Sequence, residues 1–388
     1  MDKTNIKTLG EVATYINGRA FKPTEWEEAG LPIIRIQNLT NSKTAFHYSS
    51  QIHEEKYRVK KGDLLFAWSA SLGAHIWKKD DAWLNQHIFR VIPNEDVSKE
   101  YLYYYLSKVT AELYSKTHGS GMVHITKAPF MATPIPVPPL EEQKRIVARI
   151  EELFSELDAA VATLERTKEQ LAVYRQAVLK EAFESLPPET SQAFIKDVCH
   201  EIKVGIVIKP KQYYTDESSG IRAFRSANVR EFYVNDADWV YLTESGHEQN
   251  KRSEIHTGDV LVVRSGYPGT ACVVPEEFNN CNAVDILIAV PDLDKITSEY
   301  LCAYTNSPHG RKLVTEKKRG VAQAHLNVGG YSQMKIPIPD IETQKQVVDG
   351  IELKLSIYDN ILKTLESSLQ EAEAMRQSIL KQAFAGEL

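Results

Sequence analysis

Arg35 and Asn38 stand three residues apart with Gln37 between them, and Arg225 and Asn228 repeat that spacing 190 residues later. A guanidinium offers a fork of donors, and a primary amide offers a donor beside an acceptor. These are the groups that pair bidentately with guanine and adenine edges in a duplex. More side chains of this kind fall on two polar stretches in each half of the chain. WSASLGAHIWKK carries Trp68, Ser71, His75 and Lys78, and RSGYPGTACVV carries Arg264 and Tyr267. KTHGSGMVHITK carries His124, and KKRGVAQAHLNV carries Lys318, Arg319, Gln323 and His325. The same residue types also make ordinary solvated loops, so a recognition role depends on what positions them.

Patterns for bond-making chemistry fail one by one. There is no GxxxxGK[ST] loop, no GxGxxG and no HExxH, since neither His53-Glu54-Glu55 nor His247-Glu248 has its second histidine. Val137-Pro138-Pro139-Leu140 is not the (Asn/Asp/Ser)-Pro-Pro-(Tyr/Phe) element of an adenine-methylating enzyme. Pro291-Asp292 with Glu316-Lys317-Lys318 fits a permissive nuclease pattern in which carboxylates hold Mg²⁺. Glu316 is expected to end a helix, however, and the segment reads better as a strand-end turn and a basic loop. The four cysteines (Cys199, Cys272, Cys281, Cys302) show no metal-ligand spacing and read as plain thiols. No catalytic residue, metal or cofactor is expected in this chain.

The elements that must carry the polar stretches are revealed by a repeat. At a constant offset of 201 residues, Ile135-Pro136-x-Pro138 matches Ile336-Pro337-x-Pro339, and Gln143-Lys144 matches Gln344-Lys345. The register holds to Ala182-Phe183 and Ala383-Phe384. Upstream, a weaker likeness links Lys61-Gly62-Asp63-Leu64 to Thr257-Gly258-Asp259-Val260 and Glu100-Tyr101-Leu102 to Glu299-Tyr300-Leu301. Short β-branched runs between turns, such as Leu31 to Ile36 and Val260 to Arg264, give each front half a mixed character.

After each proline phrase, which ends the front half stiffly, the pattern becomes helical. Ile146, Ile150, Leu153, Leu157, Ala160, Leu164, Leu171, Tyr174 and Val178 follow an alternating four-and-three spacing. Val348, Ile351, Leu355, Tyr358, Leu362, Leu365, Leu369 and Ala372 repeat it. From Leu140 to Ser185 such a helix runs about 70 Å. Neither stripe can be buried alone, so the economical solution is an antiparallel coiled coil. The expected fold class is α+β. Residues 1–134 and 190–335 form two mixed domains, and 135–189 and 336–388 form two long helices related by an internal pseudo-twofold.

At 388 residues, with 43% hydrophobic and 25% charged side chains, the chain can bury two or three cores. It shows no apolar run near membrane-spanning length and no targeting pattern at its start, so a cytoplasmic location is expected. The net charge of −6 hides a partition. Residues 1–134 carry 17 basic and 14 acidic side chains, and 190–335 carry 17 and 18. The helical segments carry 7 against 11 and 5 against 9. The acidity therefore sits on the helices, and the domains keep enough Lys and Arg for basic faces.

Two divergent domains, each closed by Ile-Pro-x-Pro, then Glu-x-Gln-Lys and a long helix ending near Lys-x-Ala-Phe, resemble the specificity subunit of type I restriction-modification systems. The resemblance covers essentially the whole chain. It implies two target-recognition domains, each reading half of a bipartite site in double-stranded DNA, with the helices fixing the distance between half-sites. It also implies two methyltransferase subunits docked on the helices, and restriction subunits in the same complex. S-adenosylmethionine would then be the methyltransferase's cofactor, and ATP and Mg²⁺ the restriction subunit's. Glu141, Gln143, Lys144, Glu342, Gln344 and Lys345 map to structural and partner-facing positions. Two rivals are a coiled-coil protein-interaction scaffold and the specificity subunit of a fused restriction-methyltransferase system.

Overall fold

The computed structural model describes residues 5–41, 43–116, 127–316 and 325–388. His124, Lys318, Arg319 and Gln323 lie outside the described residues, as does Lys317 of the nuclease-like pattern. The chain divides into two compact units, Met1–Glu165 with Glu366–Leu388, and Arg166–Leu365.

The first unit opens with β1 (Asn5–Thr8), α1 (Leu9–Val12), β2 (Ala13–Asn17), β3 (Leu31–Ile34), α2 (Ile36–Thr40) and β4 (His47–Ser49). β5 (Arg58–Val59), β6 (Leu64–Ala67), β7 (Gly73–Ile76), β8 (Ala82–Leu84) and β9 (Ile88–Pro93) follow. α3 (Lys99–Lys116), α4 (Lys127–Met131) and β10 (Pro134–Val137) complete its domain. Two four-stranded sheets form, ordered β2-β9-β6-β7 and β4-β3-β8-β5, with β1 and β10 as a separate pair. β6 is apolar at every position because both its faces are covered. Leu64 and Phe66 pack with Tyr101, Leu102 and Tyr105 of α3. Leu65 turns the other way, onto Ile34, Val59 and Leu84 of the second sheet, with Ile88 of β9 in the same cluster.

The long helix α5 (Leu140–Glu184) leads to a second domain built alike. Its strands are β11 (Gln192–Phe194), β12 (Cys199–Val204), β13 (Tyr214–Thr215), β14 (Ile221–Phe224) and β15 (Val240–Leu242). After α6 (Glu244–Gln249) come β16 (Val260–Val263), β17 (Ala271–Val273), β18 (Asn282–Ala283) and β19 (Ile286–Pro291). α7 (Ser298–Asn306), α8 (Pro308–Glu316), α9 (Val328–Ser332) and β20 (Lys335–Pro337) lead into the second long helix, α10 (Ile341–Ala385). The main sheet β12-β19-β16-β17 repeats β2-β9-β6-β7 strand for strand. The companion sheets differ by one strand, β5 beside β8 in the first and β13 beside β15 in the second. Val260 and Val262 face the α7 core, and Leu261 and Val263 face Phe224 and Phe278.

The proline phrase is a strand in both copies. β10 lies antiparallel to β1 with Pro136 opposite Ile6, and β20 lies antiparallel to β11. Tyr101 donates to the Pro136 carbonyl at 2.8 Å, and Tyr105 donates to that of Pro134. Tyr300 and Tyr304 do the same for Pro337 at 3.0 Å and Lys335 at 2.9 Å. In an antiparallel strand a residue's N–H and C=O point to one side. The prolines that give their carbonyls to α3 and α7 therefore lack a donor only on the side that β1 and β11 do not use.

Two amides then fix where each long helix starts. Gln143 accepts from the Ser98 N–H at 2.8 Å and donates to the Asp96 and Pro138 carbonyls, each at 2.8 Å. Gln344 accepts from Thr297 N–H at 2.9 Å and donates to Lys295 at 2.9 Å and Pro339 at 3.0 Å. Both are fully buried. This corrects the expectation that Gln143 and Gln344 face a partner, because each amide is spent on the chain's own backbone.

α5 and α10 are 45 residues each, about 68 Å. They pack antiparallel. In the first unit Ile150 of α5 meets Leu380 and Ala383 of α10, and Arg376 pairs with Asp158. In the second, Leu179 and Phe183 meet Val348 and Ile351, and Lys354 lies 3.3 Å from Glu181. The expected stripe on α10 is buried or half-buried throughout. On α5 two positions are corrected. Ala160 and Tyr174 are exposed, and Val161 and Arg175 turn inward in their place. A straight helix advances 3.6 residues per turn, so a strict 3.5-residue count drifts off its own face.

Candidate DNA interface

The main sheet of each domain ends in a hairpin whose tip is polar. In the first, β6 pairs with β7 so that Ala67 faces Gly73, leaving residues 68–72 as the turn. In the second, Val263 accepts from Gly269 N–H at 2.9 Å and donates to the Thr270 carbonyl at 2.8 Å. That turn, residues 264–269, is one residue longer. Both place a left-handed residue third in the turn, Ala70 (φ 59°) and Gly266 (φ 79°).

The first turn residue faces the residue just ahead of β9 or β19. Register carries Ala67–Ile88 on to Trp68 and His87, and Val263–Ile286 on to Arg264 and Asp285. In the first domain the contact is aromatic. Trp68 lies 4.9 Å from the His87 ring, stacks on Phe89 at 5.8 Å, and donates its indole N–H to Asn17 Oδ1 at 3.1 Å. In the second it is an ion pair, with Arg264 Nη1 lying 2.6 Å from Asp285 Oδ1. Arg264 Nε also donates to the Leu326 carbonyl at 3.1 Å. His87 and Asp285 both have positive φ, 70° and 52°. Sequence reading missed both residues, since only strand register brings them opposite the turn.

Around the second tip, Ser265 Oγ lies 2.6 Å from His325 Nδ1, and Tyr267 projects with 85% of its surface exposed. Arg311 of α8 holds the far side of the turn, donating to the Pro268 carbonyl at 3.0 Å and Thr270 Oγ1 at 3.1 Å. Glu231 joins Arg311 at 2.9 Å and also pairs with Arg175 of α5. The turn is thus tied through one carboxylate to the long helix. In the first domain Ser71 and Lys78 are exposed, whereas His75 lies on β7 opposite Leu65. Burial holds the His75 imidazole below its ordinary pKa, which favours the neutral ring.

Arg35 and Asn38 form a turn that recurs at Arg225 and Asn228. Asn38 Oδ1 accepts from the Arg35 N–H at 3.0 Å, and its amide donates to Thr44 and Ala45 carbonyls, each at 3.2 Å. Asn228 accepts from Arg225 N–H at 3.0 Å and donates to Asn235 at 3.3 Å and Ala237 at 2.8 Å. Both asparagines are buried. The expectation that Asn38 and Asn228 read bases is therefore corrected. A buried amide with its donors and acceptor engaged has nothing left for a base edge. Arg35 and Arg225 each give one guanidinium nitrogen to the same loop, at the Ala45 and Asp238 carbonyls. Gln37 between them is exposed, and its counterpart Ala227 is half-buried.

Of the positions expected to face partners, Glu141, Lys144, Glu342 and Lys345 are exposed at the helix starts, and Glu141 pairs with Lys144 at 2.7 Å. Leu353, Ile357 and Ile361 also lie exposed along α10, at four-residue intervals. They fall outside the seam stripe, and a search confined to that stripe passes over them. Among the described residues no group of three or more His, Cys, Asp or Glu gathers as a metal site. Burial raises the Cys272 thiol to about 12 and the Cys281 thiol to about 11. No helix among the described residues is long and apolar enough to cross a membrane.

The chain matches the family model described as the type I restriction modification DNA specificity domain over residues 1–171 and again over 190–373. It is 27% identical to the type I restriction enzyme EcoBI specificity subunit of Escherichia coli, covering 98% of this chain and 85% of that one. With the EcoKI specificity subunit of Escherichia coli K12 it shares 24% identity, over 99% and 89% of the two chains. Among solved structures it resembles a chain from a study of complex assembly and conformational transition of the type I R-M system. The TM-score is 0.75 at 20% identity, with 99% and 98% of the chains covered. The HsdS subunit from Thermoanaerobacter tengcongensis gives a TM-score of 0.55 at 20% identity, covering 100% and 98%. With both halves matched by the family model and its relatives aligned along nearly their full length, the chain belongs to the type I restriction-modification DNA specificity family, whose noncatalytic subunits direct the methyltransferase and restriction subunits.

Proposed function

We propose that the chain reads a bipartite site in double-stranded DNA, with residues 1–134 recognising one half-site and 190–335 the other. Two methyltransferase subunits would dock on the helical segments 135–189 and 336–388, and restriction subunits would join the same complex, in the cytoplasm. One observation carries this reading. The two domains share one sheet order and one turn position but present different chemistry there, Trp68 with His87 in one and Arg264 with Asp285 in the other. A shared frame with unlike side chains suits a molecule that must recognise two different sequences. The acidic helices, with exposed Leu353, Ile357 and Ile361, suit protein contact better than DNA contact.

The test is to express the chain with its methyltransferase and map methylated adenines in the host DNA. A split motif with a fixed unspecified spacer is expected. The purified complex should bind duplexes carrying that motif with an affinity that falls steeply as salt rises. A continuous motif, or binding indifferent to salt, contradicts the reading.

A further inference from the structure

We propose that Asp285 is a specificity-determining residue of the second domain, accepting a hydrogen bond from an exocyclic amino group, cytosine N4 or adenine N6, in its half-site. The proposal rests on the DNA-reading role above and adds to it which atom of this turn reads and which only positions.

Arg264 is the obvious reader, but its surroundings argue otherwise. Its side chain is only 17% exposed, and two of its nitrogens are committed, Nε to the Leu326 carbonyl and Nη1 to Asp285. Asp285 is 50% exposed and uses Oδ1 alone among the described residues. The arginine therefore works as a brace and the carboxylate as the presented group. Asp285 also sits at φ 52°, a backbone region that few non-glycine residues adopt, with its N–H bonded to the Ile206 carbonyl at 3.1 Å. The strand feeding that carbonyl approaches closely. A Cβ on Gly205 would fall 2.4 Å from the Ala283 carbonyl oxygen, so only glycine fits there. Backbone, brace and close contact all fix where the free oxygen points.

The electrostatics select the ligand. A carboxylate near a duplex is repelled by phosphates and gains only where it meets a donor. In the major groove the donors are cytosine N4 and adenine N6. Guanine O6 and N7 and thymine O4 are acceptors and would be rejected. The first domain places His87, also with positive φ, at the matching point, so the two half-sites are expected to differ at the base read there.

The experiment uses the complete chain in complex with its methyltransferase and a duplex carrying the mapped motif. Each adenine of the second half-site is replaced in turn by unsubstituted purine and each cytosine by pyrimidin-2-one, which lack the amino group and put no carbonyl in its place. Binding is measured for wild type and for Asp285→Asn, because asparagine tolerates this backbone conformation. For wild type one replacement should weaken binding about 10-fold, and for Asp285→Asn that same replacement should change it less than 2-fold. The first half-site should respond identically in both proteins. Equal losses in both proteins at every position overturn the proposal, as does a uniform loss of affinity regardless of base. If Asp285→Asn does not fold by thermal melting, Asp285→Gly carries the same cycle. Should wild type show no split motif at all, the DNA-reading role fails, an outcome distinct from additive losses on a valid motif.

Discussion

A buried primary amide is costly unless all its groups are paired, and Gln143 and Gln344 pair theirs at the point where each long helix leaves its domain. Gln344→Ala would strand the Thr297 N–H and the carbonyls of Lys295 and Pro339. It should destabilise the second unit by about 3 kcal/mol, measured by urea unfolding; a loss below about 1 kcal/mol would mean water substitutes freely. Sequence pattern revealed that these glutamines recur but not their use. Residue type and spacing cannot tell an amide facing outward from one facing its own backbone. For the same reason Asn38 and Asn228 looked like readers of bases and proved to be braces of a loop. Asp285 escaped notice because its partner Arg264 is 21 residues away and meets it only across a strand ladder.

At the scale of elements, the helices were the most legible part, since periodicity survives divergence of individual side chains. The length from Leu140 was expected to Ser185 and ends at Glu184. The seam was legible to within one residue, and the drift between 3.5 and 3.6 residues per turn accounts for that residue at Ala160 and Tyr174. Substitution separates the two readings of the face. Ala160→Lys should change stability by no more than about 0.5 kcal/mol, and Leu171→Ala, at a buried seam position, should cost about 2–4 kcal/mol. Thermal unfolding of both variants checks the order, and a larger loss at Ala160 would restore the unshifted stripe. The sheets were visible only as short apolar runs, because no local pattern states that β3 pairs parallel with β8, across 49 intervening residues, or that β5 and β13 flank opposite sides of matching sheets.

For the molecule as a whole, the proposed reading puts partner contact on the acidic helical segments and DNA contact on the two domains, as the partition of charge suits. Removing seven residues from the middle of α5, one heptad of the seam, should alter the preferred spacer or abolish binding, and both half-site sequences should stay unchanged. Mapping methylated adenines with the shortened chain reads this directly. A change in half-site bases would show that the helix takes part in reading.

Each domain also begins and ends with strands that lie side by side, β1 against β10 and β11 against β20. Provided the tyrosines of α3 and α7 and the backbone bonded to Gln143 and Gln344 are kept, the loops between them can lengthen, shorten or be replaced without moving the point at which the next helix departs. Genetic exchange between relatives, with crossovers at the proline-bearing strands, would then hand a host a new set of protected addresses in one event. The existing enzymes would need no compensating change.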